Sequence, residues 1–297
     1  MKSYDIFSFG HVSLDIIKTP DDRKEALGGA ILHAAWVAHQ LGFKNAVLTK
    51  SARVDKARLS EFPPMPKDDV FWVESKVTTS ILNEYKDKTL ERRDCFSQGQ
   101  AAPYAKEDFP DFSAKIVQYA ALMHGEVDLP LIKWLATKGK LVTDAAGFIR
   151  KVMPDKSMQS QHWPDLQAAF PFFHYFKADA AESEFLTGID CETHEGRIRA
   201  AKQYLDWGAK EIILTHNKEL IVANKDGEWA APFKNRSLAG RTGRGDTATT
   251  SYVLARLGSE PQEAVTFAAA LTSLKMETPG PFKGNRADVD AYAKQFY

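Results

Sequence analysis

Cysteine is almost missing: Cys95 and Cys191 are the only two in 297 residues, far apart and without metal-ligand spacing. A secreted disulfide scaffold is thereby excluded, and a reducing, cytoplasmic setting is expected. The opening MKSYDIFSFGHVSLDII has neither the long apolar core nor the small-residue cleavage site of a signal peptide. No apolar run approaches the roughly 18 residues that suggest a membrane span. Neither sign of charge is in excess, 39 Lys and Arg facing 39 Asp and Glu, so nucleic acid and anionic membranes are not expected partners. The eight histidines form no H-x-x-x-H or H-E-x-x-H pattern, which argues against zinc. No G-x-x-x-x-G-K-[ST] loop occurs, and no G-x-G-x-x-G follows the first strand candidate, which removes a Walker-type nucleotide site and a plain dinucleotide-binding oxidoreductase. Internal repeats and low-complexity tracts are lacking too.

What is present is a 44% hydrophobic chain of a length that suits one large domain over residues 1–297. Residues 4–9 predict a buried strand running into Gly10, residues 30–41 a helix stopped by Gly42, and residues 45–49 a second strand. Further strands are expected at 116–123, 140–143, 172–176 and 211–215, with helices at 181–187, 195–206, 244–257 and 261–274. Strands alternating with helices imply an α/β fold whose mostly parallel sheet is covered on both faces. The aromatic run 170-FPFFHYF-176 reads as a buried strand.

One region interrupts that rhythm. Residues 68–74, 78–85 and 89–96 are three consecutive strand candidates of mixed polarity, entered through the Pro-rich EFPPMPK of residues 61–67. A small antiparallel flap accounts for them, either as a lid that excludes water from a site or as an edge meander without a role. Its free face offers a homodimer contact.

The chemistry concentrates in 239-AGRTGRGDTATTSYVLARLG-258. Gly240, Gly243 and Gly245 precede a long helical stretch, so backbone can approach a ligand closely there. Unpaired N–H groups and the positive end of the dipole make that helix start a phosphate site. Asp246 in the first turn reads as a cap or dipole partner when taken alone. Arg244 changes this, because a cation at a helix N-terminus opposes the dipole and needs an anionic partner. Cation, glycine amides and carboxylate within four residues suit phosphoryl transfer to an alcohol, the Asp taking the hydroxyl proton.

RTGRGDT resembles the C-terminal signature D-T-x-G-A-G-D of the ribokinase-like (PfkB) carbohydrate kinases, and 28-GGAILHAAWVAHQLG-42 resembles that family's N-terminal signature. With 270-ALTSLKMETPGPF-282 and 176-FKADAAESEFLTG-188, the chain looks closest to the inositol kinase branch. The resemblance covers essentially the whole chain. It implies a ribokinase-like three-layer sandwich with a small β lid at about 68–96 plus part of 12–27. It further implies ATP and Mg²⁺ as cofactors, and a small sugar or cyclic polyol, myo-inositol-like, as acceptor. Asp246 would then be the general base, with the amides of Gly243, Arg244 and Gly245 as the anion hole. Asp15, Gly28, Gly29, His33 and the lid's Arg93 would meet the substrate. Asp179, Thr215 and Lys275 would lie on the nucleotide side, and Glu182 would act on Mg²⁺ through water.

Several positions depart from the family pattern. Arg244 replaces the Ala of G-A-G-D, Arg241 the first Asp of the signature, His33 a helix Asn, and Asp179 the Asn of N-x-x-E. The glycines usual after the nucleotide-contacting Thr are Asn217 and Leu220. Ordinary structural roles also stand open: a turn cap for Asp15, a core position for His33, dipole pairing for Glu182. A nucleoside kinase of the same fold, with Phe71, Trp72 and Tyr85 sandwiching a base, and a non-catalytic sugar-binding regulator are the competing functions.

Overall fold

Continuously apolar strand segments dictate a sheet buried on both sides, and the computed structural model, which describes residues 1–86 and 93–297, has one. Strands β1 (Lys2–Phe9), β2 (Ser13–Lys18) and β3 (Arg23–Gly28) lead into helix α1 (Ala30–Gln40), followed by β4 (Asn45–Ser51) and β5 (Val70–Glu74). Next come β6 (Thr79–Tyr85), β7 (Arg93–Gly99), β8 (Phe112–Tyr119), α2 (Leu129–Leu135) and β9 (Lys140–Asp144). A short helix α3 (Ala146–Ile149) precedes the hairpin β10 (Arg150–Val152) and β11 (Met158–Ser160), then α4 (Leu166–Ala169), β12 (Tyr175–Asp179), α5 (Ala180–Thr187) and α6 (His194–Asp206). The chain finishes with β13 (Glu211–Thr215), β14 (Glu219–Asn224), β15 (Gly227–Pro232), α7 (Arg244–Ala255), α8 (Pro261–Met276) and α9 (Arg286–Phe296).

Nine strands form the main sheet in the order β15-β14-β13-β12-β9-β8-β1-β4-β5. Pairing is parallel from β13 to β5, while β14 and β15 close one edge antiparallel. Helices α1, α7, α8 and α9 cover one face around Val37, Tyr252 and Leu271. Helices α2 to α6 cover the other around Phe148, Phe170 and Tyr204. Burying such side chains on both faces contributes about 1.5–3 kcal/mol each and explains why these strands alternate so little in polarity.

The second sheet is the lid, in the order β3-β2-β6-β7. Its outer pairs β2–β3 and β6–β7 run antiparallel and its middle pair β2–β6 runs parallel. Of the three strand candidates between residues 68 and 96, the first lies elsewhere: β5 pairs with β4 at the edge of the main sheet. Its place in the lid is taken by β2 and β3. The third candidate is described only from Arg93 on, residues 89–92 lying outside the described residues. The predicted strand at 172–176 begins later, because Phe170–Phe172 forms a 3₁₀ turn carrying Pro171, which has no N–H for a ladder. Similarly, β8 starts at Phe112 and ends at Tyr119, short of the expected 123. No helix among the described residues is long and apolar enough to cross a membrane.

Candidate active site

The C-terminal ends of β9, β12 and β13 lie by the start of α7, the edge where a parallel sheet gathers ligands. Gly243 caps α7 with φ at 79°, a left-handed conformation that costs a side chain dearly. A Cβ there would also collide with the His33 ring, so α1 and the start of α7 are in direct contact. The Thr247 amide donates to the Gly243 carbonyl at 3.0 Å, closing the first turn. Of the three amides expected to hold an anion, that of Arg244 already donates to the Arg241 carbonyl at 3.2 Å. Gly245 sits in the first turn, whose N–H groups find no partner within the helix. Just beyond it lies a cation: a Cβ on Gly245 would stand 3.3 Å from Lys177 Nζ.

Asp246 lines a small recess with Ala30, Gln118, Thr143, Asp144 and Thr249. Burial pushes its carboxyl up to about 6, and the Asp144 carboxylate adds to this, while Lys177, Arg150 and Lys275 pull the other way. A carboxyl poised near neutrality is what a general base requires. Lys177 is buried between two acids, 2.8 Å from Asp144 Oδ2 and 3.3 Å from Glu182 Oε2. Burial disfavours its charge, yet Asp144, Glu182 and Asp179 outweigh burial and raise its pKa. Glu182 is lifted to about 7, by burial first, and its upward shift is opposed by Lys177. Asp179 and Glu182 share the start of α5 as a capping box: the Asp179 side chain accepts from the Glu182 amide and Glu182 accepts from the Asp179 amide, both at 2.8 Å. Among the described residues no group of three or more His, Cys, Asp or Glu is arranged to hold a metal.

Asp15 lies in β2 of the lid. Its Oδ1 is buried without a hydrogen-bond partner, as are Ser13 Oγ and His33 Nδ1. Burial raises the Asp15 carboxyl; Ser13, Arg93 and Arg150 oppose that rise. A Cβ on Gly28 would strike the Asp15 carboxylate, and one on Gly29 would stand 2.6 Å from the His11 carbonyl. These two glycines therefore let the entry to α1 pass directly behind the acid. His33 is buried, and burial, reinforced by Lys275, holds its imidazole down at about 3. It meets α7 as a neutral ring. Arg93 opens β7 and donates to the Tyr85 hydroxyl at 3.1 Å, its charge acting on Asp15 from the lid.

A third cluster lies beyond the α7 terminus. Arg244 Nη1 donates to Asn217 Oδ1 at 2.9 Å and Arg241 Nη2 to the same oxygen at 3.4 Å. The Arg244 guanidinium also sits 5.9 Å from the Phe233 ring centroid. Thr215 ends β13, buried, and pairs with Leu220. Lys275 is buried in α8 and donates to the Gly240 carbonyl at 2.5 Å and to the Thr242 carbonyl. Burial lowers its ammonium to about 8. It holds the glycine-rich turn in shape from behind.

Asp15 thus meets Gly28 at the entry to α1, His33 of α1 meets Gly243 at the start of α7, and Gly245 meets Lys177, while Asp246 lines the recess beside Ala30 and Asp144. Reasoning from sequence missed Asp144, Lys177 and Arg150. Two of these carried a signal: Asp144 and Asp179 end neighbouring parallel strands, and Lys177 interrupts an otherwise apolar run. Arg150, at the start of the β10–β11 hairpin, had none. Its Nη1 donates to the Leu122 carbonyl at 3.2 Å, and its charge bears on Asp15 and Asp246 alike.

The model of the pfkB family of carbohydrate kinases matches residues 71–287. Among solved structures, a pyrophosphate-dependent kinase of the ribokinase family, complexed with a pyrophosphate analog and myo-inositol, is 32% identical, covering 96% of this chain and 99% of that one with a TM-score of 0.85. A pyrophosphate-dependent myo-inositol-1 kinase converted into a myo-inositol-3 kinase by a double substitution is 32% identical, covering 98% and 99%, at 0.84. Ribokinase of Arabidopsis thaliana, complexed with ribose and ATP, is 16% identical over 99% of each chain at 0.75, a likeness of fold. No curated protein matches the chain.

Proposed function

Because the chain belongs to the PfkB family of carbohydrate kinases and is a sugar or polyol phosphotransferase, we propose that it phosphorylates one hydroxyl of a cyclic polyol of the inositol kind. Asp246 acts as the general base and inorganic pyrophosphate as the donor. The observation that carries this reading is a pair of buried acids, one in the lid and one in the first turn of α7. Asp15 keeps a buried carboxylate oxygen without a partner, ready to accept from a ligand hydroxyl. Asp246, held at about 6 by burial, takes the proton of the hydroxyl that attacks. The Arg150 charge bears on both carboxyls, which supports the two acids facing a common volume.

The amides at Gly243 and Gly245, with Lys177 behind them, receive the phosphoryl group as its charge redistributes. Arg241 and Arg244, replacing smaller or acidic family residues and gathered on Asn217, add cationic charge beyond the helix start. That suits a compact, highly charged donor better than the middle of a nucleotide. ATP is the donor that the sequence resemblance implies. Mg²⁺ would be served by Glu182 with Asp144, through water because Lys177 already occupies both carboxylates; it would neutralise charge on the donor. A nucleoside acceptor is disfavoured, since two residues of its aromatic sandwich stand in β5 of the main sheet. There Phe71 packs on Phe7, and Trp72 Nε1 donates to Ser51.

The test is a panel of myo-inositol, fructose, ribose, adenosine and cytidine, each with pyrophosphate or with ATP and Mg²⁺, followed by release of phosphate or ADP. Turnover of inositol with pyrophosphate is expected, abolished in Asp246→Asn while inositol binding persists. Undiminished turnover in Asp246→Asn removes the base. Sugar binding without transfer from either donor makes the chain a regulator, and turnover with ATP alone restores the nucleotide.

A further inference from the structure

Asp246, Asp144 and Lys177 belong to the C-terminal edge of the main sheet. The opposite edge, where β9, β12 and β13 begin, carries an open hollow of about 500 Å³, within the roughly 300–1,000 Å³ of small-molecule sites. Backbone bonds fix its walls: the His174 amide donates to the Leu141 carbonyl at 2.9 Å and the Lys210 amide to the Phe173 carbonyl at 3.3 Å.

The lining includes Lys115, Lys140, Lys210 and His174 and no acid, in a chain whose charges otherwise balance. Lys115 is paired with Asp5 at 2.8 Å. Lys140 and Lys210 have no acidic partner within ion-pair reach among the described residues. Their charge is felt at His174: burial first, then Lys140, with Arg256 and Lys210 adding, holds its imidazole down at about 4. Glu211 opposes this, but it is itself committed to Arg256 at 3.0 Å and to the Tyr252 hydroxyl. A hollow lined by one sign of charge concentrates ions of the other.

Its floor is apolar. Leu141 is buried there, and half-buried Phe172 has the Lys133 ammonium 5.6 Å from its ring centroid. A simple anion would use the lysines alone. An anion that carries a flat ring would cover the floor as well, and a nucleobase offers such a face.

We propose that this hollow is a second ligand site, separate from the catalytic one, which takes a nucleoside monophosphate with its base on Phe172 and Leu141 and its phosphate by Lys140 and Lys210. The inference does not depend on the polyol kinase reading. Strand β9 runs from Lys140 at the hollow to Asp144 beside Asp246, about 13 Å at the usual rise per residue, so an occupant here takes no part in the transfer.

The test is isothermal titration calorimetry of the full chain with AMP, inorganic phosphate and myo-inositol monophosphate. It is repeated on Phe172→Ala and on the double variant Lys140→Gln with Lys210→Gln; none of these side chains is buried, so the variants keep the fold. AMP is expected to bind one to one, more tightly than the other two. The double variant is expected to weaken AMP roughly 10- to 100-fold through lost charged hydrogen bonds, and Phe172→Ala about tenfold through lost stacking. Turnover is expected to be unchanged in both. The His174 ring signals, assigned by their loss in His174→Gln, are expected to shift in ¹H NMR as AMP is added. AMP binding that both variants leave intact belongs to the catalytic site and overturns the proposal, as does the absence of saturable binding at millimolar AMP. Inositol phosphate bound as tightly as AMP overturns the nucleoside assignment.

Discussion

At the scale of single residues, the base is set by its surroundings. Asp246 sits at about 6, and burial is the main reason. It must be ionised to accept a proton, so kcat/KM is expected to fall about tenfold per pH unit below 6 and to level off above it, measured with saturating donor. The same shift has a sign for stability. A carboxyl whose pKa rises on folding stabilises the protein fully only below its unfolded value, and that contribution is lost as pH climbs through 6. Asp246→Asn removes the ionised form, so the variant is expected to be more stable than the wild type by roughly 1–3 kcal/mol at pH 8 and no more stable at pH 4. Urea unfolding at the two pH values checks this. Lys177 works in the other direction. Replacing it with Met leaves Asp144 and Glu182 buried without their shared cation, an expected loss of about 3–5 kcal/mol.

At the scale of elements, the start of α7 depends on one backbone conformation. Gly243 combines a φ of 79° with contact against His33, so Gly243→Ala must both strain the turn and displace the imidazole. A stability loss of about 1–3 kcal/mol is expected, with kcat lowered more than KM, seen by calorimetry and steady-state kinetics. This element was legible beforehand, since glycines ahead of a periodic helix announce a tight turn at a helix terminus, and both α1 and α7 formed where their patterns placed them. The lid was legible as a break in the α/β rhythm but not in its composition. Residues 68–74 carry the same mixed polarity as a lid strand, because an edge strand such as β5 also has one face partly wet. Pattern alone does not separate the two. Nor does it bring Arg150 to the cleft: that takes a hairpin whose docking depends on pairing Phe96 with Ser157, far apart in sequence. The aromatic run before β12 gave up its first residues to a 3₁₀ turn for a reason as local as one proline.

For the molecule as a whole, charge is balanced at a net of +0 with a sequence pI near 7.1. Without a large net charge to keep copies apart, solubility is expected to pass through a minimum close to pH 7 and to recover by pH 8.5 or 5.5, read by light scattering against pH.

The parallel pairing at the centre of the lid has a consequence for how the chain reaches this shape. Ser80 Oγ donates to the Leu14 carbonyl across 66 positions of sequence, and β3, α1, β4 and β5 must be laid down between them. Closing so long a loop is entropically costly until the neighbouring strands have drawn its ends together. Amides of β2 and β6 will therefore be among the slowest to gain protection in refolding, so the newly made chain acquires its core well before it acquires a cover for the substrate.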